Sequence, residues 1–105
     1  MSDMNYLGAI VRILEPPRRI IFEKEILVVK FRAQLTQFRG TRVINLTFFG
    51  NLANEVLKHY KVNDYILIEG YLSIINQENT NLNFRMMKKA NLSVFKIYPF
   101  LLNLN

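Results

Sequence analysis

Val43 to Leu72 reads VINLTFFGNLANEVLKHYKVNDYILIEGYL, and its hydrophobic period changes twice along the way. It alternates like a strand as far as Phe49-Gly50, runs on with the spacing of a short amphipathic helix, turns at Asn63-Asp64, and resumes as a strand through Glu69-Gly70. Side chains alternate across a strand, so Ile44, Leu46 and Phe48 share one side and Val43, Asn45, Thr47 and Phe49 the other. The first set belongs in a core. The second is a mixed polar row ending in a large flat ring, which suits a surface that stacks a planar partner; the plainer alternative makes Phe49 a plug at the end of the fold. Asn51 is the expected N-cap of a helix reaching about Tyr60, with Leu52, Val56, Leu57 and Tyr60 as its apolar face. Asn63 stands where a left-handed residue is needed after it.

Upstream of this stretch, Asn5 to Leu14 is an apolar, β-branched run that reads as a first strand. Pro16-Pro17 ends it, because neither residue can donate to a ladder. The basic pair Arg18-Arg19, a short apolar piece Ile20 to Phe22 and a charged tip, Glu23 to Glu25, lead to the second long strand, Ile26 to Leu35. There Leu27, Val29, Phe31, Ala33 and Leu35 form the apolar row, opposite Lys30, Arg32 and Gln34. Two cations on one strand face are either a binding row or a solvated exterior. Thr36 to Arg42 is a hairpin connection with Gly40 at its tip, Arg39 and Arg42 beside it, and Phe38 without alternating neighbours to bury it.

Downstream, Tyr65 to Ile75 reads as the fourth strand, with Ile66, Ile68, Leu72 and Ile74 inward and Tyr71 outward. Asn76 to Asn83 is a polar loop. A last strand is expected from about Phe84 to Tyr98, interrupted at Lys88-Lys89 and stopped by Pro99, before an apolar tail, FLLNLN. Three strands, a helix and two more strands is the order of an OB-fold, an all-β, five-stranded Greek-key barrel whose second and third strands bind oligonucleotides or oligosaccharides. One domain over residues 1–105 is expected, with the barrel at about 4–98 and the tail at 99–105.

Half of the 105 residues are hydrophobic and 21% are charged, as in a folded domain, and the formal charge of +6 favours a polyanionic partner. The absence of cysteine excludes disulfides, thiolate metal sites and cysteine nucleophiles. No segment reaches the roughly 18 to 20 apolar residues that cross a bilayer. The opening MSDMNYLG resembles neither a signal nor a transit peptide, so the protein is expected to work where it is made. Heavy use of Asn, Ile, Leu, Phe and Lys fits an AT-rich genome, hence a plastid stroma or a bacterial cytoplasm.

The residues FFGNLANEVLKHYKVNDYILIEGYL resemble the central signature of bacterial-type single-stranded DNA-binding proteins, in particular their short plastid-encoded and cyanobacterial form. There an aromatic-Gly pair precedes a helix opening with Leu-Ala, and a strand ends Glu-Gly-x-Leu; the matching positions are Phe49-Gly50, Leu52-Ala53, Glu69-Gly70 and Leu72. Met4-Asn5, Ile13, Pro17, Phe31 and Ala33 match the family's earlier part, so the similarity covers about Met4 to Val94. The resemblance implies an OB-fold, assembly as a homodimer or homotetramer, and Phe49 as a stacking residue. The chain departs from the family's pattern in having no tryptophan: Val43 and approximately Gln77 occupy usual stacking positions, and Asn45 stands where a basic residue is common. It also stops at Asn105 without the acidic tail through which the bacterial proteins recruit partners.

The expected function is sequence-independent binding of single-stranded DNA in replication, repair or recombination. Bases would stack on Phe49, aided by Phe38 and Tyr71; phosphates would meet Lys30, Arg32, Arg39, Arg42, Arg85 and Lys88, with Asn45 and Thr47 on the same face. An interaction module or an RNA-binding subunit of a larger assembly is the alternative. No enzyme is expected: His59 is the sole histidine, the carboxylates are scattered, and there is no glycine-rich phosphate loop. No cofactor, metal, membrane or small-molecule substrate is implied.

Overall fold

The structure is a computed structural model that describes residues 5–21, 25–36, 42–77 and 87–100. Its strands are β1 (Asn5–Ile13), β2 (Arg18–Ile21), β3 (Leu27–Leu35), β4 (Val43–Phe49), β5 (Tyr65–Gln77) and β6 (Met87–Pro99), with one helix, α1 (Gly50–His59), between β4 and β5. The sheet order is β1-β5-β6-β4-β3-β2, and a further pairing of β1 with β3 closes it into a barrel. All pairings are antiparallel except β4 with β6. This is the expected OB-fold.

The strand count is one higher than expected, because the piece after the prolines pairs as a strand of its own. Both β1 and β2 lie along the same edge of β3, β1 at Ala33 to Leu35 and β2 at Leu27 to Lys30. They behave as one barrel strand broken at Pro16-Pro17, which leaves the barrel five-stranded.

The core follows from alternation. Val11 and Ile13, Val29, Phe31 and Ala33, Ile44, Leu46 and Phe48, Ile66 and Ile68, and Leu92 all turn inward and are buried. The Phe31 and Phe48 rings stack with centroids 5.2 Å apart and planes 17° from parallel. From α1, Ala53 and Val56 are buried against this core, and Leu52, Leu57 and Tyr60 pack at its margin. Ile74 corrects the expected inward row, being largely exposed. It pairs with Ala90 on a β5–β6 ribbon that continues to Gln77 and Met87. Lys88 and Lys89 do not interrupt β6, since they pair with Asn76 and Ile75.

The strand-to-helix junction has no loop. Phe49 itself is the N-cap, in extended backbone and without a side-chain cap bond, so Asn51 is not the cap; Gly50 follows with φ of 61°. That left-handed turn costs other residues about 1–2 kcal/mol, and glycine adopts it freely. Asn63 takes the left-handed conformation as expected, with φ of 76°, and its N–H donates to Ile13 O at 2.8 Å.

Gly70 is required for a different reason. The β5–β6 register shifts at Glu69/Gly70, and a Cβ on Gly70 would collide with the Ser93 carbonyl and lie 3.0 Å from Val94 Cα. Glu69 pairs with Lys96 and Gly70 with Val94, so Phe95 is the extra residue and the bulge lies on β6 opposite this step. Two glycine-to-alanine variants separate these causes. Gly50→Ala, with open space around the new methyl, loses about 1–2 kcal/mol of unfolding free energy in urea titrations. Gly70→Ala loses more, because backbone must move in addition.

Candidate nucleic-acid interface

Cross-strand register sets out the outer face of β2, β3 and β4 in rows. Ile20, Val28 and Phe49 are opposed in one row; Arg18, Lys30 and Thr47 in the next; Arg32 and Asn45 in a third; Gln34 and Val43 in a fourth. The parallel partner β6 extends the middle rows, with Ser93 beside Thr47 and Asn91 beside Asn45. None of β2, β3 and β4 carries a carboxylate.

Phe49 is the aromatic end of this face. Its ring is 47% exposed, so it does not plug the core, whereas its neighbour Val28 is wholly buried in the same apolar row. Lys30 is half-buried in the next row, and among the described residues it has no ion-pair partner. Arg42 is exposed immediately before β4.

Other expected contacts are already engaged. Thr47 is only 5% exposed, and its hydroxyl donates to Asn91 Oδ1 at 3.1 Å. It lies beneath the surface because β6 runs alongside β4. Asn45 donates its amide to Ala90 O at 3.4 Å. Arg32 is exposed but ion-paired: its Nε and Nη2 donate to Glu15 Oε1, each at 3.2 Å.

Tyr71 belongs to a separate cluster. It packs against Tyr6 and Phe95, with centroids 6.3 Å and 5.1 Å away, and Tyr6 meets Phe95 at 5.8 Å. From Thr47 the row passes to Ser93 and then to Tyr71, two strands or roughly 10 Å around the barrel. The structure thus brings Lys30, Arg32, Asn45, Thr47 and Phe49 together and leaves Tyr71 apart. Lys88 lies on β6 opposite Asn76. Phe38, Arg39 and Arg85 lie outside the described residues, as do residues 78–86 and 101–105 as a whole.

Three further residues of this region, Arg12, Glu15 and Arg18, have no site role in the sequence reading. Arg12 donates to Gln34 Oε1 at 2.7 Å and to Asn63 Oδ1 at 3.0 Å, tying β1 to β3 and to the turn before β5. Its outward position could have been read from the inward Val11 and Ile13 on either side. Arg18 and Glu15 flank the Pro-Pro break, and only the pairing of β2 with β3 puts them over this face.

With this geometry in place, the chain can be set beside known proteins. No family model matches it. It is 36% identical over 104 residues to the "Putative single-stranded DNA-binding protein ycf41" of Trieres chinensis, covering 95% of this chain and 92% of the relative. The chain belongs to the ycf41 family. The ycf41 protein of Pyropia yezoensis, which bears the same description, is 29% identical over 97 residues, with 92% of this chain and 87% of the relative covered.

Solved structures agree on the fold. The SSB domain of a Synechococcus sp. protein superposes with a TM-score of 0.70 at 22% identity, covering 93% of this chain and 98% of that one. The small single-stranded DNA-binding protein of Streptomyces coelicolor gives 0.80 at 15% identity, covering 95% and 97%. The second single-stranded DNA-binding protein of Mycobacterium smegmatis gives 0.71 at 18%, covering 98% and 99%. The chain thus shares the barrel fold of those proteins.

Burial would raise the Glu15 carboxyl, but the hydrogen bonds from the Arg32 side chain and backbone amide, with the charges of Arg32 and Arg18, hold its pKa below the ordinary 4.5. The folded state therefore binds fewer protons than the unfolded chain in that range. The stabilisation is full above 4.5 and drains away as pH falls through the lowered folded value. Glu15→Gln is expected to lower unfolding free energy at neutral pH by under about 1 kcal/mol. The gap should close on acidification, as followed by denaturant titrations monitored by circular dichroism.

Proposed function

We propose that this protein binds single-stranded DNA without sequence preference and without catalysis, using the outer face of β3 and β4. The observation that carries the reading is the half-exposed Phe49 at the end of a sheet face whose own strands carry no carboxylate and present Lys30 and Arg32. A flat ring gives any base a stacking partner, and the cations take the phosphates on either side. Arg39, Arg42, Arg85 and Lys88 would extend the basic surface, and Phe38 would supply a second ring. The naming of the ycf41 relatives as single-stranded DNA-binding proteins supports the same assignment. The setting proposed is replication, repair or recombination in a plastid stroma or a bacterial cytoplasm.

The working unit proposed is a homodimer or homotetramer. Tyr6, Tyr71 and Phe95 are 55%, 45% and 39% exposed, yet touch one another, forming an apolar patch on β1, β5 and β6. Such a patch supports contact with a second copy and lies away from Phe49. Linking two binding faces in this way would raise affinity for a long strand without new contacts.

Fluorescence anisotropy with oligothymidine tests the binding face. Phe49→Ala should cost about 1–3 kcal/mol of binding free energy. For wild type, log K should fall against log salt with a slope near −3 if about four phosphates are neutralised. Unchanged affinity of Phe49→Ala would remove the stacking role. Single-stranded RNA and duplex DNA in the same titration measure the preference for a DNA single strand. For the assembly, Tyr71→Lys should lower the mass seen by light scattering while the circular dichroism spectrum stays that of a folded barrel.

A further inference from the structure

Between the β1 and β2 pairings, the edge of β3 at Phe31-Arg32 has no ladder partner, and Pro17 can supply no amide hydrogen there. The link supplies other groups. Leu14 N–H donates to Arg32 O at 3.0 Å, and Glu15 Oε2 accepts the Arg32 N–H at 2.8 Å. The other carboxylate oxygen, Oε1, accepts from Arg32 Nε and Nη2, and Arg18 Nη2 approaches Oε2 to 3.7 Å. Two guanidinium groups, one from β2 and one from β3, therefore converge on a single anion. Both arginine side chains remain mostly open to solvent, whereas the glutamate is largely covered.

A carboxylate between two exposed guanidiniums has the charge and the paired acceptor oxygens of a backbone phosphate. Arg18 is also the cross-strand neighbour of Lys30, so the pair borders the cation of the β3–β4 face. We propose that Arg18 and Arg32 form a phosphodiester subsite that Glu15 fills in the free protein and yields to the backbone of a bound single strand. This rests on the single-stranded DNA reading above, and it adds Arg18 to the face. Glu15 can keep its bond to the Arg32 amide while releasing the guanidinium groups. Exposed ion pairs contribute little to stability, so the fold does not oppose the exchange. Were Glu15 instead a brace that aims Arg32 at phosphate, its removal would weaken binding, the opposite sign.

Glu15→Gln separates the two, because glutamine keeps an acceptor for the Arg32 amide and loses the charge. In anisotropy titrations with oligothymidine, Glu15→Gln should bind about three- to fivefold more tightly at low salt. Its log K against log salt should be steeper by up to about 0.7. Arg32→Ala should cost more affinity in the Glu15→Gln background than in wild type. Arg18→Ala, on an exposed side chain, is a second readout that does not depend on how well Glu15→Gln folds, and it should weaken wild-type binding about twofold. Equal or weaker binding by Glu15→Gln, or an unchanged Arg18→Ala, overturns the subsite. If Phe49→Ala loses affinity while Glu15→Gln matches wild type, only the subsite falls. If wild type and Glu15→Gln both ignore the oligonucleotide, the single-stranded DNA reading falls with it.

Discussion

In the β3–β4 ladder, Phe31 lies opposite Leu46 and Val29 opposite Phe48, and the Phe31 and Phe48 rings stack inside the barrel. A strand has a period of two, so a slip of β3 by one residue against β4 would carry Phe31 to the surface and bring Lys30 and Arg32 inside. Burying those cations without partners would cost far more than any local rearrangement could return. The stacked pair thus fixes the register. The register in turn fixes the order of the outer rows, with Phe49 at one end and the cations next to it. Every functional statement about this face depends on that one alignment.

The same alignment explains why some polar side chains on the face are unavailable. OB closure places β6 parallel to β4, and its Asn91 and Ser93 come to lie beside Asn45 and Thr47. Thr47 then gives its hydroxyl to Asn91, and Asn45 gives its amide to Ala90. Closing the barrel consumes the polar middle of β4 and leaves the ends, Val43 and Phe49, open. On the proposed reading, Phe49 at one end is left to stack and β3 to supply the charge.

Strand alternation makes most of the barrel legible in the sequence: the inward triplet Ile44, Leu46 and Phe48, the β3 row around Phe31, and the left-handed Asn63 all stand where periodicity and turn chemistry put them. Contacts between elements far apart in the chain are not legible in the same way. The helix cap stands two residues before Asn51, because Gly50 turns the chain directly from strand to helix and puts Phe49, which has no side-chain acceptor, at the cap. Thr47 has the local pattern of an exposed residue, since nothing nearby in sequence reports that β6 arrives beside it. Tyr71 shares a periodic row with other outward residues, but which face of the barrel that row joins is decided by the β1–β5 and β5–β6 pairings. Glu15 and Arg18 acquire meaning only once the two halves of the broken strand line up on one edge of β3.

The two exposed faces are separate, so the proposed binding and the proposed assembly would not compete. Lys30, Arg32 and Phe49 lie on β3 and β4, whereas Tyr6, Tyr71 and Phe95 lie on β1, β5 and β6, with the Thr47–Ser93 step between them. An apolar contact formed through the second group would not cover the first. It would also spare the barrel the cost of displacing a partner before a strand could bind. Hydrogen bonding to the Glu69 carboxylate, with some desolvation and the carboxylate's charge, raises the Tyr6 phenol pKa above its ordinary 10.0. An aromatic patch on one side and a cationic row with one flat ring on the other give the barrel two surfaces of different chemistry, and a polyanion has reason to approach only one of them.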